Sequence, residues 1–123
     1  MILFPGEEEL LKDQNFVIKP STLPEYGTIH TLICDGDCDR AYRPLACRIF
    51  PLAPKVTDEG VQVRMDARGR PTCPLTHLSL QSLSHRFLEE VKSCLNTLYQ
   101  DEEQRAFIEA LSKRVDSFHS FTL

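Results

Sequence analysis

The period of the hydrophobic pattern changes along the chain. From about Ser79 apolar residues fall at Leu80, Leu83, Phe87, Leu88, Val91, Cys94, Leu95 and Leu98, a single stripe at helical spacing. A second stripe, Phe107, Ile108, Leu111, Val115 and Phe118, follows Asp101-Glu102-Glu103-Gln104. There Asp101 is placed as an N-cap and Gln104 answers it three residues on, the spacing of a capping box. The short connection between the stripes predicts an antiparallel helical hairpin, with a frayed tail from His119 to Leu123.

Ahead of these helices the pattern is shorter. Pro5-Gly6 followed by Glu7, Glu8 and Glu9 reads as the start of a brief helix, with acids in its first turn, ending near Asn15. Phe16-Val17-Ile18 predicts a buried strand stopped by Lys19-Pro20. Pro20 and Pro24 make a turn region, and Tyr26 to Ile33, rich in β-branched residues, predicts a second strand leading straight into Cys34. Arg48 to Leu52 reads as an extended segment punctuated by Pro51 and Pro54. Lys55-Val56-Thr57 and Val61 to Met65 flank Asp58-Glu59-Gly60 as a hairpin. Val61, Val63 and Met65 are expected inward, and Gln62, Arg64 and Asp66 outward. Ala67 to Pro71 then turns the chain back towards Cys73. The expected architecture is α+β and a single domain over residues 1–123: a small, irregular β-rich region over 1–75, then the helical hairpin over 76–123.

Composition narrows the function classes. At 123 residues and 41% apolar content, without tryptophan, the core is modest. A net charge of −4 lacks the basic footprint of a duplex nucleic-acid binder. From Cys34 to Leu75 seven Lys/Arg meet six Asp/Glu, and Tyr42 and Phe50 are the aromatics there, too few for a stacking platform. Nucleic acid is therefore not an expected partner. The start of the sequence has no basic segment and too short an apolar run for a signal peptide, and no stretch approaches membrane-spanning length. The expectation is a cytoplasmic protein with reduced thiols.

That setting gives the cysteines their meaning. Four of the five lie at Cys34, Cys38, Cys47 and Cys73, spaced Cys-x3-Cys-x8-Cys-x25-Cys. Structural zinc takes four tetrahedral ligands, often with two presented by one tight turn. Cys34 and Cys38 have that spacing, with Gly36 between them. Cys47 and Cys73 each follow an Arg-Pro step, and Pro71 stiffens the chain just before its thiol. Closing such a site ties the hairpin excursion between Cys47 and Cys73 back to the Cys34 loop, in a region poor in large apolar residues that needs a staple. Arg40, Arg43, Arg48, Arg68 and Arg70 are near enough in sequence to donate hydrogen bonds to the sulfurs. The alternative is that these are buried thiols, and for Cys94, on the apolar stripe, a core position is the expectation.

Other donors rank behind the four thiols. His77, four residues after Cys73, has a spacing that suits zinc and could replace one cysteine. His30 shares a strand face with Cys34, but four strand residues span roughly 13 Å, too far for one ion. His85 and His119 are expected to face solvent. Asp35, Asp37 and Asp39 alternate like the start of a calcium loop, yet the position that needs glutamate is Ala46. One of these aspartates could still serve zinc or iron as an oxygen ligand.

The run Cys34-Asp35-Gly36-Asp37-Cys38, then Arg43-Pro44-Leu45-Ala46-Cys47-Arg48-Ile49-Phe50-Pro51-Leu52, then Cys73-Pro74-Leu75 resembles the zinc- or iron-chelating cysteine-cluster family of bacteria and archaea. The resemblance covers roughly Phe4 to Leu75, and the Arg43 to Leu52 segment is its most specific part. It implies metal chelation by cysteines, with zinc, iron or an iron–sulfur cluster held. Some relatives are associated with methylation of lysines in flagellin. Members usually carry a compact Cys-x2-Cys…Cys-Cys group ahead of the segment that here begins Met1-Ile2-Leu3-Phe4, and this sequence has no counterpart of it.

The expected function is therefore metal binding by Cys34, Cys38, Cys47 and Cys73, with zinc in a structural or interaction role. The alternative is an iron or iron–sulfur protein in redox or protein-methylation chemistry. Whether the chain is an enzyme stays open; it shows no Gly-rich phosphate loop, no His-Glu-x-x-His and no Gly-x-Ser-x-Gly. An unidentified protein, or a second copy through the helical hairpin, is the expected kind of partner.

Overall fold

The structure, a computed structural model, describes residues 1–11, 16–33, 43–69 and 78–121. Its elements are α1 (Glu7–Leu11), β1 (Val17–Leu23), β2 (Gly27–Ile33), α2 (Leu45–Ile49), β3 (Leu52–Thr57), β4 (Gly60–Met65), α3 (His85–Leu98) and α4 (Glu102–Phe121). Two antiparallel two-stranded sheets and two long late helices make this an α+β chain. No helix of the described residues is long and apolar enough to cross a membrane. The chain divides into two compact units, Met1–Ile49 and Phe50–Leu123.

In the first unit, Phe4-Pro5-Gly6-Glu7 forms a tight turn. The Glu7 N–H donates to Phe4 O at 3.0 Å, and Gly6 takes φ 92, where a side chain would be strained. α1 follows from that turn. β1 pairs with β2 from Val17 opposite Ile33 to Leu23 opposite Gly27, so the strand continues through Lys19-Pro20, where a stop was expected.

The reason lies on the far side of β2. Met1 exchanges backbone hydrogen bonds with Leu32 at 2.7 and 2.8 Å, and the Leu3 N–H donates to His30 O at 2.9 Å. His30 and Leu32 thus turn their backbone groups away from β1. Their partners Pro20 and Ile18 occupy non-hydrogen-bonded pairs, and the N–H that Pro20 lacks would point off the open edge. Tyr26, expected in the strand, instead closes the turn by donating its N–H to Leu23 O at 3.1 Å, with Glu25 at φ 71. Leu3, Leu11 and Leu32 form the core here, with Phe16 and Ile18 packed on it.

α2 replaces part of the expected extended segment, since Arg48 and Ile49 are helical. Pro44 is buried, and its carbonyl accepts from the N–H groups of Cys47 and Arg48. Proline at a helix start loses no hydrogen bond. The helix stops two residues before Pro51, as the steric demand of proline on the preceding residue requires. The Phe50–Pro51 peptide is cis.

The second unit is the β3–β4 hairpin covered by α3 and α4. Leu52 faces Met65 and Thr57 faces Gly60 across a two-residue turn. Gly60 takes φ 114, and a Cβ there would sit 3.0 Å from Asn96 Oδ1. Asn96 of α3 acts as a backbone surrogate. Its Oδ1 accepts the Val61 N–H at 3.1 Å, and its Nδ2 donates to Val61 O at 2.8 Å and Lys92 O at 2.9 Å. On the opposite edge the Val56 N–H donates to the buried Ser112 Oγ of α4 at 3.1 Å. Val56 and Val61 face each other, so both helices cap the same non-hydrogen-bonded pair. Pro54, two residues before Val56, falls in the same outward phase and interrupts no ladder bond.

Two expected outward residues are turned in. Arg64 is half-buried, reaching Asp116 and the Ser112 carbonyl (2.8 Å) on α4. Asp66 is buried because its carboxylate receives the Arg68 backbone N–H and guanidinium. α3 starts later than the stripe suggested. A 3-10 turn at Leu80–Ser82 comes first, and Ser84 caps the helix by accepting the Phe87 N–H at 3.4 Å. Asp101 caps α4 through the Gln104 N–H at 3.0 Å, whereas the Asp101 N–H goes to Leu98 O. α4 continues to Phe121, through residues expected to fray. Val91, Leu95, Phe107, Ile108, Leu111 and Val115 are buried with Leu52, Ala53 and Val61.

Asn96→Ala leaves the Val61 edge groups unpaired, and a loss of about 2–3 kcal/mol is expected in urea denaturation. Glu89→Ala, on the exposed face of the same helix, should stay within about 0.5 kcal/mol.

Candidate metal centre

Of the four candidate ligands, Cys47 lies within the described residues. Cys34, Cys38 and Cys73 lie outside them, as do His77, Asp35, Asp37, Asp39, Arg40 and Arg70. Among the described residues no group of three or more His, Cys, Asp or Glu side chains is placed to hold a metal ion. Cys34 directly follows Ile33, the last residue of β2. Cys47 is the third residue of α2, half-buried, with a thiol side chain.

The backbone around Cys47 is held from a distance. The Leu45 N–H, at the start of α2, donates to Glu7 Oε2 at 2.9 Å across 38 residues of sequence. The other oxygen, Glu7 Oε1, accepts the Phe4 N–H at 2.7 Å. Sequence reasoning placed Glu7 as a first-turn acid of its own helix. Its tie to Leu45 had no local signal, because nothing in a periodicity pairs residues 7 and 45.

The nearby arginines divide by their partners. Arg68 Nε and Nη2 are engaged by Asp66 at 2.9 and 2.6 Å, which occupies much of its donor capacity. Arg48 Nε donates to Arg43 O at 2.9 Å, folding that side chain back over the start of its own helix.

Cys94 and the other histidines are distant from Cys47 in sequence. Cys94 is half-buried rather than fully in the core, in a shallow groove with His85, Glu89, Glu90 and Ser93. Burial pushes its thiol up from the ordinary value, so it resists becoming the thiolate that a metal requires. His85 is exposed. His30 is half-buried with Nδ1 3.8 Å from Glu8 Oε1. The His119 side chain lies outside the described residues. Comparison of the chain with known protein families, with curated proteins and with solved structures finds no match.

A thiol with a raised pKa carries less thiolate at neutral pH, so Cys94 should alkylate more slowly than a simple thiol at about pH 8 and approach it only as the pH rises past the shifted value. Mass-spectrometric mapping of iodoacetamide labelling checks this, and reaction at the simple-thiol rate would contradict it. Cys94→Ser should leave metal content unchanged.

Proposed function

We propose that the chain is a metal-binding module in which Cys34, Cys38, Cys47 and Cys73 hold one zinc ion, in a structural role that serves interaction with another protein. The observation that carries this reading is the spacing Cys-x3-Cys-x8-Cys-x25-Cys, with four of five cysteines gathered in one third of the sequence. Four thiolates match the closed tetrahedral set of structural zinc, which leaves no coordination position for substrate. The anchored start of α2 supports it further, since Cys47 rides on a backbone set by Glu7 rather than on an unconstrained loop. The resemblance to the zinc- or iron-chelating cysteine-cluster family points to the same donors. When bound, zinc would supply folding free energy to the stretch that it closes.

A second reading rests on the same donors: an all-thiolate set also serves iron or an iron–sulfur cluster, which would make redox or protein-methylation chemistry the role. Either centre fits a cytoplasmic protein, where thiols stay reduced. The outer face of α3 and α4 is the surface through which a protein partner or second copy would bind.

Elemental analysis of anaerobically purified protein tests the reading. One zinc per chain and no visible absorption are expected, with Cys47→Ser losing most of the metal. Full retention by Cys47→Ser would sink the ligand set. Iron with acid-labile sulfide and a visible band would select the second reading.

A further inference from the structure

We propose that Glu7 is a positioning residue for Cys47, bracing α2 so that its thiol is preset for metal capture; this rests on the reading of Cys47 as a metal ligand. α2 has five residues, too few to be stable alone, because helix nucleation is unfavourable and the first N–H groups lack intrahelical partners. A helix ordinarily meets that need with a local side-chain acceptor just ahead of it. Here the residues ahead are Arg43 and Pro44, and neither side chain can accept a hydrogen bond. Pro44 also has no N–H, so Leu45 presents the first donor of the segment.

Glu7 supplies the missing acceptor from 38 residues away, at 2.9 Å. It is itself immobilised, because its second oxygen holds the Phe4 N–H at 2.7 Å and its own N–H is bonded to Phe4 O at 3.0 Å. Both carboxylate oxygens are thus occupied by backbone donors, and the Phe4–Glu7 turn becomes a fixed anchor. Cys47 lies two residues beyond Leu45 on the same helical turn, so the contact that holds the Leu45 N–H limits how that turn can move. Its N–H is bonded to Pro44 O at 3.0 Å, which carries the constraint from the anchored residue to the thiol.

The test is Glu7→Gln in the full chain, with Cys47→Ser as control. An amide has one acceptor oxygen and directs donor hydrogens at the second N–H, so one of the two bonds must go. Zinc affinity, read by competition with a chromophoric chelator, is expected to fall about 10–100-fold, the range for residues that orient metal ligands. In metal-free protein the Leu45 amide should exchange faster and Cys47 should alkylate faster, while amides of the β1–β2 ladder keep their protection.

Loss of zinc binding in Cys47→Ser but unchanged affinity and Cys47 labelling in Glu7→Gln would overturn the role of Glu7 alone. A matching loss of ladder protection would mark Glu7 as a general structural residue and overturn it as well. Full zinc retention in Cys47→Ser would overturn the metal reading and this proposal with it.

Discussion

A two-stranded ladder leaves alternate residues of each strand with N–H and C=O groups facing outward, and buried groups of that kind must be met or they cost about 1–3 kcal/mol each. Among the described residues both sheets are two-stranded, and much of the fold is the answer to that demand. Both backbone groups of Leu32 are met by Met1, and the His30 carbonyl by Leu3. Val61 is met by Asn96 and Val56 by Ser112. Pro54, which is buried, occupies a position where an outward N–H would otherwise need a partner, and exposed Pro20 one where it would face the open edge. In the second unit this demand fixes which helix covers which edge: α3 lies along β4 and α4 along β3.

The same logic extends to the candidate centre. α2 is a helix that cannot cap itself, and a remote carboxylate completes it. Between Cys34 and Cys73 the apolar residues Ile49, Leu52, Ala53 and Val61 are buried, so a bound metal would add to hydrophobic burial there. A zinc ion bound by four thiolates would contribute about 10–16 kcal/mol in a zinc-finger setting. That contribution is comparable to what about five buried leucines add at roughly 1.5–3 kcal/mol apiece.

What could be read from the sequence followed its periodicity and turn chemistry. The stripes of α3 and α4, the Asp58-Glu59-Gly60 turn, the Asp101 cap and the α+β class were all legible, because each depends on residues close together in the chain. Pro20 and Pro54 misled for a specific reason: proline forbids only the hydrogen-bonded phase of a strand, and phase is set by the partner strand. Asp66 looked like the next outward residue of an alternating strand until Arg68 folded back on it. The helicity of Leu45–Ile49 was hidden because its N-terminal acceptor is Glu7. For the candidate centre the donor types and spacing were legible, and the anchoring of Cys47 was not, since it depends on a contact across the fold.

The most direct test of the central claim is zinc K-edge X-ray absorption on the metal-loaded chain. The account predicts a shell of about four sulfurs at roughly 2.3 Å. A first shell made mainly of nitrogen and oxygen at roughly 2.0 Å, or a chain that takes up no zinc, would contradict it.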